Sequence, residues 1–75
     1  MKKQIFKTKL KHDHCLYENY YVRQRIVMVS EKLLGKTHTI DAYNFIIVSE
    51  AYPEDYRTFK EFMERRYKGL CEFDV

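Results

Sequence analysis

One proline and two glycines in 75 residues leave little backbone that must be irregular, so the chain has no room for a long linker or a low-complexity tract. Two cysteines, Cys15 and Cys71, are too few for the disulfide framework of a small secreted domain. No signal-peptide pattern is present either, and a reducing, cytoplasmic setting is the expectation. A Cys15 to Cys71 bridge would tie the longest apolar segment to the last residues, but a buried free thiol is the commoner use of Cys in such domains. No apolar run approaches the roughly 20 residues needed to cross a bilayer, which argues against a membrane role. There is no tryptophan, so ring burial falls to seven Tyr and five Phe.

Those twelve rings make a core feasible. A chain this short buries only about 60% of its extended surface, and rings that each hide roughly 150 to 250 Å² stand in for a larger number of aliphatics. The chain reads as a single domain without internal repeats. Its net charge of +3 is unevenly placed. Residues 1–12 contain five lysines and no acid, whereas the rest is slightly acidic. The basicity therefore belongs to an N-terminal arm, which in the plainest case is a solubilising edge.

From Gln4 to Lys11 the chain alternates, with Phe6, Thr8 and Leu10 on one side and Ile5, Lys7, Lys9 and Lys11 on the other. That period predicts a half-buried strand with a row of lysines outside and Ile5 as the exception. A helix is expected over residues 13–34, with Asp13 as N-cap and Gly35 as its stop. Cys15, Val22, Ile26, Val29 and Leu33 share one stripe of it, Leu16, Tyr20, Val27 and Leu34 a second, and Tyr17, Tyr21 and Met28 a third.

Residues 37–51 read as a second helix, capped by Thr37 or Thr39 and burying Ile40, Tyr43, Ile47 and Ala51. The run Ile46-Ile47-Val48 keeps a strand reading open. Pro53, followed by Glu54 and Asp55, starts a third helix over residues 53–68. Residues 70–75 alternate again as a last strand, whose Glu72 and Asp74 complement the lysines of the first strand if the two pair. The expected fold class is α+β and helix-dominated: a short N-terminal strand, three helices, and a short C-terminal strand able to pair with the first.

Few residues assemble into chemistry. His12, His14, Cys15 and Cys71 are zinc-ligand types, but structural zinc takes pairs from two places and the second place here offers one Cys, so no metal is expected. Gly35-Lys36-Thr37 ends like a phosphate loop, yet Ser30 stands where the first glycine must be, and a helix precedes it in place of a strand. Glu61, Glu64 and Arg65 form a surface charge ladder. With no nucleophile beside a base, and little volume for a supported pocket, the chain is expected to be neither an enzyme nor a cofactor binder.

Two contact functions remain. A strand with a lysine face, then a helix, then the turn Gly35-Lys36-Thr37-His38-Thr39 resembles the ribbon-helix-helix family of dimeric DNA-binding regulators. In that family the N-terminal strands of two subunits pair and enter the major groove. The resemblance implies nucleic-acid contact through Lys7, Lys9, Lys11 and Lys36, mostly with phosphates; Lys2 and Lys3 of the same basic arm join that set, and an exposed strand edge offers a place for a homodimer to form. The other reading is a protein-binding regulator, adaptor or inhibitor. It would use Tyr17, Tyr21 and Met28 from the third stripe with Tyr56, Arg57, Arg66 and Tyr67, aromatic and Arg types common at interfaces. Protein is the first partner expected, nucleic acid the second.

Overall fold

The computed structural model describes residues 2–11, 20–41 and 44–74. In chain order these form β1 (Gln4–Leu10), α1 (Tyr20–Leu34), β2 (Thr37–Asp41), β3 (Ile46–Ala51), α2 (Pro53–Arg66) and β4 (Cys71–Phe73). The strands make one antiparallel sheet in the order β2-β3-β1-β4. Each of the two βαβ units is thus split by a strand of the other, the ferredoxin-like topology. Three helices and two strands were expected; the described chain has two helices and four strands.

The correction falls on residues 37–51. Their three-to-four spacing fits a helix, but Thr37, Thr39, Ile40, Ile46, Ile47 and Val48 are β-branched, which costs helical rotamer freedom and suits a pleated surface. Asp41 is not in a first helical turn. It accepts hydrogen bonds from the Asn44 backbone N–H (3.0 Å) and from Asn44 Nδ2 (2.9 Å), and so anchors the β2–β3 connection. Phe45 closes this connection with a left-handed φ of 51° while its ring is buried. The Arg23 guanidinium lies 5.5 Å from the centre of that ring, linking α1 to the turn. The same finding removes the helix-turn-helix part of the ribbon-helix-helix resemblance, since Thr37–Asp41 is a strand. β1 is likewise an interior strand, paired with β3 and β4.

Helix α1 begins at Tyr20 within the described residues, and Asp13 to Asn19 lie outside them. It stops at Gly35, whose φ of +89° is one that L side chains rarely adopt. Helix α2 starts at Pro53 after an extended Tyr52 (φ −72°, ψ 144°), carries Glu54 and Asp55 in its first turn, and ends with Arg65 and Arg66 in its last.

Both helices cover the sheet face that bears Phe6, Thr8, Leu10, Ile47, Ser49 and Ala51. An aromatic cluster joins α2 to β1 and β4. The Phe6 and Tyr56 rings stack at 4.2 Å, and Phe73 stands edge-on to Tyr56 (6.3 Å) and Phe59 (6.0 Å). The Tyr56 hydroxyl bonds Thr8 Oγ1 (2.9 Å), donates to the Lys7 carbonyl (3.0 Å) and accepts from the Asp74 backbone N–H (3.2 Å). Register places Lys7 opposite Asp74, where the next rung of the β1–β4 ladder would fall. The phenol occupies that rung, while the Asp74 carboxylate takes the Lys7 N–H at 3.2 Å. A side chain from α2 therefore fastens the end of β4 to β1.

Candidate functional site

Among the described residues no helix covers the second face of the sheet. Strand alternation sends Ile5, Lys7 and Lys9 of β1, Ile46, Val48 and Glu50 of β3, His38 of β2 and Glu72 of β4 to this side, opposite the buried residues. Pairing sets them in rows. Ile5 faces Glu50, Lys7 faces Val48 and then His38, and Lys9 stands between Ile46 and Glu72. Ile5 is 57% exposed, so the one break in the lysine row is an apolar side chain in solvent.

At one end of this face is a hollow of about 440 Å³. It is lined by Lys3 and Ile5 from the β1 side, Val48 and Glu50 from β3, Lys36 and His38 from the β2 side, and Leu34 and Gly35 from the end of α1. The left-handed Gly35 reverses the chain there and brings Lys36 to the rim. The Lys3 ammonium sits 5.6 Å from the centre of the Tyr52 ring, which holds that cation at the opposite rim. Because β3 runs between β1 and β2, the two lysines bracket it at about two strand spacings, roughly 10 Å of backbone separation. At the hollow Lys3 and Lys36 outnumber Glu50, whereas along the β1–β4 pairing Lys7 and Lys9 stand opposite Asp74 and Glu72, so the excess of positive charge lies at the hollow.

Lys2 and Lys11 are also exposed, and the Lys11 backbone N–H bonds the Leu70 carbonyl at 2.9 Å. The aromatic and Arg candidates do not come together. Tyr17 lies outside the described residues. Tyr21 and Met28 are 70% and 59% exposed on α1, two helical turns apart. Tyr56 is wholly buried in the aromatic cluster and presents nothing to a partner. Arg57 and Arg66 are exposed on α2, and Tyr67, half-buried, follows its end.

Of the zinc-type residues, His12, His14 and Cys15 lie outside the described residues, and Cys71 is a buried free thiol. Among the described residues no three His, Cys, Asp or Glu gather as metal ligands, and no helix is long and apolar enough to cross a membrane. Sequence reasoning did not find Val48, Glu50 and His38 as members of a surface. The signal for them was the alternation of Ile46 to Ala51, which a helical reading of that segment hides.

No known family, curated protein or solved structure matches this chain. Its function is therefore argued from its own surface, because a shared topology carries no particular chemistry.

Proposed function

We propose that the chain is a non-enzymatic protein-binding module that regulates, adapts or inhibits a macromolecular partner by seating it on the uncovered face of the sheet. The observation that carries the reading is the mixture on that face: exposed Ile5 and half-buried Ile46 and Val48 set among Lys3, Lys7, Lys9 and Lys36. A four-stranded sheet with one solvated face normally turns polar residues outward, and apolar side chains left there among cations suit a protein contact. The buried free thiol of Cys71 fits a reducing, cytoplasmic compartment.

Nucleic acid is the rival, since the lysines also suit a polyanion. Two features weigh against it. The outward positions of the central strands β1 and β3 hold no aromatic ring on which a base could stack. Glu50 and Glu72 also interrupt the path a phosphate backbone would take.

The test compares the wild-type protein with Val48→Asp and, as a control on the helical side, Met28→Asp. A captured partner should be lost with Val48→Asp and kept with Met28→Asp, and once purified it should slow amide exchange in β1 and β3. A partner retained by Val48→Asp and released by Met28→Asp would move the interface to α1 and refute the reading. Binding of duplex or single-stranded DNA with a steep salt dependence, weakened by about one unit of slope per lysine replaced, would favour the rival.

A further inference from the structure

Resting on the uncovered face as the docking surface, we propose that the hollow between Lys3 and Lys36 takes an acidic protein segment that places an apolar side chain against Ile5 and Val48 and carboxylates on the flanking lysines.

The charge layout selects this occupant. Lys3 and Lys36 stand on opposite sides of β3, one held over the Tyr52 ring and the other set by the turn at Gly35. The apolar part of the hollow's lining is Ile5, Val48 and Leu34. A cationic rim around an apolar centre complements a segment with the reverse arrangement, in which the apolar contact supplies affinity and the charges supply orientation and encounter rate. At about 440 Å³ the hollow holds one or two side chains, so the rest of the segment lies across the row of Lys7 and Lys9. Glu50 is the one lining residue of the wrong sign. It stands opposite Ile5, and its charge opposes an incoming carboxylate. A purely acidic chain, nucleic acid included, meets Glu50 without an apolar contact in return.

The experiment uses the full chain and three labelled probes at low salt: a twelve-residue peptide alternating Glu and Leu, the same peptide with Ser for Leu, and a twelve-residue oligothymidylate. Anisotropy gives the affinities, and amide shifts give the location. The Glu/Leu peptide is expected to bind best, with the largest shifts at Ile5, Lys36 and Val48. Reversing both rim charges, Lys3→Glu with Lys36→Glu, should weaken it about tenfold, because each exposed pair is worth only a few-fold in affinity. Glu50→Gln should tighten it a few-fold, a gain that misfolding cannot imitate.

Several results would overturn the proposal: equal affinity for the Ser-containing peptide, tighter binding of the oligothymidylate, shifts confined to the helices, or no binding of the Glu/Leu peptide. Failure here with capture still lost in Val48→Asp would remove only the acidic occupant. Failure of both would remove the docking face itself.

Discussion

Replacing Tyr56 by Phe removes a single oxygen from the core and tests how β4 is held. That oxygen meets Thr8 Oγ1, the Lys7 carbonyl and the Asp74 N–H. Thr8 is 2% exposed, so its hydroxyl loses its partner where water cannot easily follow, at a cost of about 1 to 3 kcal/mol. Lys7 and Asp74 lie nearer the surface, where water can take over their bonds, and they add about 0.5 to 1 kcal/mol each. The expected loss is about 2 to 5 kcal/mol. Native domains of this length have only about 4 to 11 kcal/mol in hand.

Urea denaturation followed by far-UV circular dichroism should show the midpoint falling with an unchanged slope. The Thr8→Val change in the Tyr56→Phe background should recover part of the loss, since two apolar neighbours leave no orphaned hydroxyl between them. The ring stack on Phe6 is kept in both variants, which confines the measurement to the hydroxyl. A Tyr56→Phe protein within about 0.5 kcal/mol of wild type would refute the view that the phenol fastens β4 to β1.

Other expectations concern the thiol, the turn and one buried hydroxyl. Burial pushes the Cys71 thiol up to about 12, with the nearby Lys11 charge acting in the opposite direction. Because this folded value lies above the unfolded one, the stabilising contribution is intact below pH 9 and is lost as pH rises towards 12. The free energy of unfolding should fall by about 2 kcal/mol between pH 9 and 10.5 in wild type and less in Cys71→Ala, and equal slopes would contradict this. Burial also raises Tyr56, which adds to the decline above pH 10. Asp41→Ala leaves both Asn44 donors without their carboxylate and should cost about 1 to 2 kcal/mol, read as a melting temperature lower by roughly 5 to 10 °C. Ser49 is buried and its hydroxyl has no hydrogen-bond partner among the described residues, so Ser49→Ala should raise stability by about 1 kcal/mol; a loss would mean that the hydroxyl is satisfied.

The strongly punctuated parts of the fold are legible in the sequence. Pro53 with two acids behind it marks the start of α2, Gly35 marks the end of α1, and the alternation from Gln4 separates the lysine face of β1 from its buried face. Residues 37–51 mislead because Ile40, Tyr43, Ile47 and Ala51 meet helical spacing by accident, while the turn chemistry of Asp41 and Asn44 is set in the middle of that pattern. Ser30 is buried on α1, where a polar residue is not expected, because its hydroxyl donates to the Ile26 carbonyl one turn back (2.8 Å).

The candidate face was half visible. The lysines follow from one strand alone, but Val48, Glu50, His38 and Lys36 join them only through the pairing of β3 with β1 and β2, which no local pattern states. Tyr56 illustrates the opposite difficulty. Its position on the helical repeat suits a core and an interface equally, and only the packing of α2 on β1 and β4 separates the two.

The strand order also governs how the chain reaches this state. β1 is central, and its neighbours β3 and β4 begin about 36 and 61 residues after β1 ends. During synthesis the first strand must therefore wait for most of the polypeptide before either ladder can close, and the last rung depends on residues near 74. Loops of that length carry a large closure entropy before any contact rewards it, which places folding in a slower, millisecond-range regime than a helical bundle of equal length and ties the integrity of the whole sheet to its final strand.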